Sequence, residues 1–309
     1  MISPLAAALL RQLAAEGVAG WLAEDASAPF APARLRRFAE DGNFSGLLSA
    51  SGSADAVREA CDALLWVYEA ADGDAGLVSA AVDHETSLAV DRPNLLVRIA
   101  PDGPGLRAVT ATVAAGLGVD VSPVRSLDSC VEAMDAYFSG LELALAAGLS
   151  LRRLAAVISV PVGEIDAEVD ARLARLASPE ALRHRGTAAL AVARLAFRMR
   201  EERLGEEWWR VLRAAGARPP RLVWTAPLPH RLTALVGWRT AQAVSVEVLE
   251  EAVAHGVPNG DTLLKADEAG RAALAALDEV GIDMTEVFRV LGATCREDTG
   301  PVRQERPAG

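Results

Sequence analysis

Short apolar runs alternate along the chain with longer amphipathic stretches, and each run ends near a polar residue, a proline or a glycine. The runs at 18–22, 45–49, 76–81, 94–99, 118–122, 155–160, 222–225 and 240–244 predict eight strands. Several are apolar at consecutive positions, the pattern of parallel strands covered on both faces by helices. Between them apolar residues recur three and four apart, predicting helices at 54–71, 104–115, 126–147, 167–176, 179–203 and 207–215. A further helix precedes the first strand (4–15), and two close the chain (266–279 and 284–291). Eight strand–helix units in this length predict the α/β class and a single (β/α)8 TIM barrel with extra helices at the N- and C-termini. No G-x-G-x-x-G follows the first strand, which weighs against a doubly wound dinucleotide-binding sheet. The barrel is expected to occupy residues 1–295, and the charged, Pro/Gly-rich segment 296–309 is expected to be a disordered tail.

Such a barrel places its chemistry at the C-terminal ends of its strands. Here those positions are 23–25, Ser49, 81–84, Arg98, Asp120 with Ser122, Ser159 with Glu164, and Thr225. Arg98 is the odd one: in NLLVRIAPD (94–102) it is a single charge inside an apolar run, just before the strand ends.

Composition narrows the partners. Half the 309 residues are apolar, with few Tyr and Phe, which suits helix-rich packing. The net charge of −11 argues against nucleic acid and against anionic membrane surfaces. No uncharged run approaches the ~18 apolar residues that span a bilayer; 108–119 is about as long as they get. The N-terminal MISPLAAALL has no basic region, and its helical pattern continues through Arg11, so no signal peptide is expected. Cys61, Cys130 and Cys295 are widely spaced and lack CxxC or histidine companions. They read as reduced thiols of a cytoplasmic protein, with no metal and no cofactor expected. Of 31 basic residues only Lys265 is a lysine, which limits amine chemistry to one side chain.

DRPNLLVRIAPDGPGLRAV (91–109) resembles the transaldolase segment in which a strand carries the Schiff-base lysine and runs into an Ile-Pro-Ala-Thr loop. GLVSAAVDH (76–84), GVDVSPVRSLDSCVEAMDAYFSGLE (118–142), IDAEVDARL (165–173) and GTAALAVARLAF (186–197) are similar to neighbouring blocks of that family in the same order. The resemblance covers roughly residues 5–290. It implies the aldolase-type barrel and a catalytic set that this chain departs from. By that resemblance the imine lysine falls on Arg98, the first-strand aspartate on Ala23 (with Glu24 and Asp25 next), and the third-strand glutamate on Ala81. The Thr-Thr-Asn-Pro block becomes Leu48-Ser49-Ala50-Ser51, and the fifth-strand Asn and Thr become Asp120 and Ser122. The sixth-strand serine is Ser159, and the phosphate-holding arginine falls on Glu164. The seventh-strand phosphate contacts fall on 226–230, where only His230 and the following Arg231 are suitable.

These changes remove three functions. An imine needs an amine that is neutral part of the time, whereas a guanidinium stays protonated. Lys265 lies in a polar loop, NGDTLLKADEAG, and is read as a solvated surface group. Glu164 would repel a sugar phosphate. The leading expectation is therefore a transaldolase-like protein that is not a functional transaldolase. It would be repurposed to bind, or to transform by acid–base catalysis without an imine, a non-phosphorylated small molecule at the barrel mouth. A specialised biosynthetic pathway is the expected setting. The alternative is a non-catalytic pseudoenzyme acting as scaffold or partner subunit, and a third reading is a genuine transaldolase using another residue.

Arg98 and Asp120 are expected to be neighbours pointing into the barrel, either as a buried ion pair or with Arg98 presenting its fork to a ligand carboxylate or carbonyl. Ser122, Ser159 and Arg125 are expected to line the same pocket. Acid–base candidates are Asp25, Asp83, His84, Asp120, Glu164 and His230. Of these, Asp83 is read as structural, His84 as a turn or capping group, and Glu164 with Asp166 as helix-opening carboxylates. Trp66, Tyr68, Trp208 and Trp209 fall in helical patterns and are read as packing residues.

Overall fold

The structure is a computed structural model that describes residues 2–25, 30–41 and 44–298; for His84 and residues 293–298 it describes the backbone alone. Eight parallel strands close into a barrel in sequential order: β1 (Val18–Ala23), β2 (Gly46–Leu48), β3 (Leu77–Ala80), β4 (Leu95–Ile99), β5 (Gly118–Val121), β6 (Ala156–Val160), β7 (Arg221–Thr225) and β8 (Thr240–Val244). All eight expected strands are present, and β8 pairs with β1 to complete the ring. The barrel is the expected (β/α)8 fold.

The surrounding helices are α1 (Pro4–Ala15), α2 (Pro32–Glu40), α3 (Ala54–Ala70), α4 (His84–Val90), α5 (Gly103–Ala114), α6 (Leu127–Ala146), α7 (Val162–Leu176), α8 (Pro179–Leu182), α9 (Ala188–Gly205), α10 (Glu207–Ala214), α11 (Val246–Ala252), α12 (Asp267–Glu279) and α13 (Met284–Asp298). Ser3, Asp83, Asp102 and Ser126 each cap a helix by accepting from a backbone N–H of its first turn.

Four expectations need correction. The single helix at 179–203 is broken into α8 and α9, because Gly186 takes φ +65 and turns the chain between them. The helix expected at 167–176 begins earlier, at Val162. The last helix continues past 291 to Asp298, so 296–298 are helical, and the rest of the tail lies outside the described residues. Two of the four aromatics read as packing residues are surface groups: Trp66 is 44% exposed and Trp208 52%, while Tyr68 and Trp209 are buried as expected.

Inside the barrel, Trp21, Leu77, Leu96, Val157, Val223, Ala241 and Ala243 form one apolar cluster. Trp21 lies so close over Gly46 that a β-carbon there would meet the indole at 2.3 Å. Glycine on β2 is therefore what lets the largest side chain of β1 occupy the axis. No helix among the described residues is long and apolar enough to cross a membrane.

Candidate functional site at the barrel mouth

The C-terminal end of the barrel is organised around one buried carboxylate. Register pairs Arg98 of β4 directly with Asp120 of β5, and the alternation of the two strands turns both side chains inward. Asp120 is fully buried. Its Oδ1 accepts from Ser159 Oγ of β6 at 2.8 Å, and its Oδ2 accepts from Ser79 Oγ of β3. Arg98 Nε donates to Ser79 Oγ at 3.1 Å and to Asp120 Oδ2 at 3.4 Å, and Nη2 donates to the Ser79 carbonyl at 3.0 Å. Four consecutive strands thus meet on one carboxylate.

Burial pushes the Asp120 pKa up, opposed by the Arg98 charge and by hydrogen bonds from Ser79, Ser159 and Arg98. Arg98 is held on one side by this network, while its side chain keeps 24% exposure toward the mouth. Its geometry leaves one edge of the guanidinium available to a ligand while the other anchors Asp120.

Other expected site residues gather elsewhere. Arg125, in the loop after β5, donates from Nη2 and Nε to Glu164 Oε2 at 2.9 and 3.2 Å. Glu164 stands in the first turn of α7. The two form their own pair on the rim and do not join the Arg98 network. Ser122 is half-buried just beyond β5, and its backbone N–H donates to the Ile99 carbonyl. Asp25 is exposed beyond β1. His230 is exposed on a 3₁₀ turn (Pro229–Ala234), with its ring 5.9 Å from that of His255. Asp83 caps α4 through Thr86 N–H, in agreement with its structural reading. The side chain of His84 lies outside the described residues. Asp166 is buried, accepts from Ala189 N–H at 2.9 Å and ties α7 to α9.

Two residues matter more than the sequence suggested. Ser79 bonds both partners of the central pair; its one sequence signal is that it shares the inward parity of Leu77 on β3. Glu24 reaches across to β2, where Oε2 accepts from Ser49 Oγ and Ala50 N–H, and Oε1 accepts from Phe30 N–H. These residues border a recess of about 280 Å³ between α2 and α3. Ala23 and Ala81 bring no polar group to the mouth.

Lys265 is at the opposite end of the molecule. Thr262 Oγ1 donates to the Ala234 carbonyl, and Asp261 accepts from Trp238 N–H. Gly260 N–H reaches Glu16, beyond the end of α1. These contacts hold its segment beside the residues that lead into β1 and β8, at the N-terminal end of the barrel, and Lys265 itself is exposed.

Curated relatives carry the same chain pattern. The protein is 40% identical over 257 residues to a transaldolase of Parafrankia sp. (strain EAN1pec), an alignment covering 76% of this chain and 70% of that one. It belongs to the transaldolase family. A transaldolase of Thermobifida fusca (strain YX) is 39% identical over 257 residues, with the same coverage. One of Mycolicibacterium smegmatis is 37% identical over 276 residues, covering 82% of this chain and 73% of that one. No protein-family model matches the chain.

The chemistry of the mouth follows from these side chains. The polar group it presents to solvent above the buried carboxylate is the Arg98 guanidinium, which stays protonated and is a poor nucleophile but an effective donor to planar carboxylates and carbonyls. Beside it lie a buried carboxylate with a raised pKa and two hydroxyls, a set suited to hydrogen bonding and proton handling. Among the described residues no three His, Cys, Asp or Glu side chains are grouped to hold a metal ion. Cys61 and Cys130 are buried free thiols whose pKa burial pushes up to about 12, so neither offers a thiolate nucleophile.

Proposed function

We propose that this member of the transaldolase family has lost imine chemistry and uses the mouth around Arg98 to bind a small molecule that is not a sugar phosphate. The observation that carries the reading is Arg98 itself. On the resemblance of its segment it stands where the family has its Schiff-base lysine, and its Nε and Nη2 are engaged with Asp120 and Ser79. The chain's one lysine, at the other end of the barrel, is no replacement. Glu164, at the position matched to the phosphate-holding arginine, pairs with Arg125 and so cancels a charge that a phosphate would need. Ala23 and Ala81 leave the aspartate and glutamate roles unfilled.

The ligand best suited to this set carries a carboxylate or carbonyl for the open edge of Arg98 and a hydroxyl for Ser122. If it is turned over, Asp120 is the proton-handling group, and the step is acid–base without a covalent intermediate. Recruitment to a specialised biosynthetic step fits such a diverged copy, and buried thiols fit a reducing, cytoplasmic compartment.

Borohydride reduction tests the reading directly. Incubation with fructose 6-phosphate and borohydride is expected to leave the intact mass unchanged, whereas a stable reduced adduct would restore the genuine-transaldolase reading. The Arg98→Lys variant is expected to remain without transaldolase activity in a coupled assay, because the residues at 23, 81 and 164 are still unsuited. Activity gained by that single change would mean that the rest of the family site is intact.

A further inference from the structure

A wide cleft lies at the other end of the barrel, away from the Arg98 network. It encloses about 840 Å³ between the loops that lead into β3, β7 and β8 and the junction of α9 with α10. A volume of this size is ordinary for a small-molecule site. A small inner recess continues from it toward Arg221 and Val157 at the base of the barrel, sharing Asp74, Arg218 and Arg239 with it.

Its charge is opposite to that of the molecule. Five arginines share two aspartates here. Arg152, Arg153 and Arg218 approach Asp72 at 3.7, 3.5 and 3.1 Å, and Arg218, Arg221 and Arg239 approach Asp74 at 3.8, 3.1 and 2.8 Å. Arg213 lines the same cleft from α10. The other acid on its lining, Glu201, is paired with the buried Arg200. The cluster is therefore under-compensated by several positive charges, in a chain whose net charge is −11.

Two details indicate that internal pairing does not satisfy it. Arg218 Nη1 is fully buried yet has no hydrogen-bond partner among the described residues. Arg221 and Arg200 are both depressed first by burial and also by the neighbouring charge of Arg239. Guanidinium groups crowded in this way gain most from an anion that bridges them. The rim adds an aromatic surface: Trp238 has one edge against Gly17 and is 63% exposed, and Trp209 and Leu204 also line the wall. Stacking on an exposed indole favours a flat ring.

We propose that this N-terminal cleft is a second binding site, for an organic polyphosphate that carries an aromatic ring, the nucleoside di- or triphosphate class. The phosphates would bridge Arg213, Arg218 and Arg239, and the ring would lie against Trp238. The site is separated from the mouth by the Trp21 cluster that fills the barrel axis.

Titration calorimetry on the full chain without magnesium, using ATP, inorganic tripolyphosphate and adenosine, tests this. ATP is expected to bind saturably, tripolyphosphate more weakly and adenosine not detectably, with ATP affinity falling as salt rises. Arg213→Glu, an exposed change on α10, and Arg239→Gln are each expected to weaken ATP binding by about tenfold or more, the scale of one lost charge-assisted contact. Arg125→Gln, on the rim of the mouth, should leave it unchanged. Absence of saturable ATP and tripolyphosphate binding would overturn the proposal. So would ATP binding that Arg125→Gln abolishes while Arg213→Glu leaves it intact, since the anion would then occupy the mouth. Tripolyphosphate binding as tightly as ATP would overturn the aromatic part. Arg213→Glu keeps the test decisive even if Arg239→Gln fails to fold.

Discussion

Replacing Arg98 by methionine is expected to lower the unfolding free energy at neutral pH by about 3–5 kcal/mol, the cost of leaving a buried charge without its partner. Asp120 has no exposure to solvent, and the two serine hydroxyls that remain carry no charge to offset it. The loss should depend on pH in a definite direction. Burial already holds the Asp120 pKa above the ordinary carboxylate value of ~3.9. A carboxyl raised in the folded state contributes stability that is fully present below the unfolded pKa and is lost as pH rises through the folded one. Removing Arg98 moves the folded value higher still, so the variant's deficit should be small near pH 4–5 and grow toward pH 8, where the wild type keeps its counter-charge. Urea denaturation at several pH values measures this. The double change Arg98→Met with Asp120→Asn should recover most of the loss, because no buried charge is then left alone. A deficit that is the same at every pH would show that the methionine acts through packing and that Asp120 does not depend on Arg98.

The second large effect concerns the barrel axis. Trp21→Ala is expected to cost about 3–5 kcal/mol, as for other fully buried aromatics truncated to alanine, and with no pH dependence. The indole fills the space over Gly46, and the surrounding Leu77, Leu96 and Val157 are held by a closed ring of strands that cannot collapse inward. Gly46→Ala should destabilise as well, since its methyl carbon meets the indole far inside van der Waals contact. Combining the two should be less harmful than the sum, because each relieves the crowding or the void left by the other. Thermal unfolding of the two single variants and the double measures the coupling. Strict additivity would mean that the two residues do not share the axis.

The chain's own pattern revealed the barrel because covered parallel strands leave uninterrupted apolar runs that local residues alone define. The eight runs became the eight strands, with ends shifted by one residue at most. Helix α2 was not legible: PARLRRFAE is short and largely polar, and it became a helix by burying Leu35, Phe38 and Ala39 against its neighbours. The break between α8 and α9 was missed for another reason: the apolar pattern stops at Leu182 and resumes at Ala188, and the polar RHRGT between them, with the turn at Gly186, reads as the exposed face of one continuous helix.

The adjacency of Arg98 and Asp120 was legible too, because strand order and inward parity follow once a barrel is assumed. What the sequence by itself determined is thus the fold, the family resemblance and the residue types at the strand ends, including the presence of one lysine in the whole chain. Only the tertiary structure decided that Ser79 and Ser159 close around Asp120, that Arg125 turns to Glu164 and away from Arg98, and that Lys265 faces the wrong end. It alone assembled the basic cleft, whose charges come from segments as far apart as Asp72 and Arg239. The reason is physical: periodicity along a chain records which face each residue turns to the core, whereas the partner of a charge depends on distances between segments that closing the barrel alone establishes.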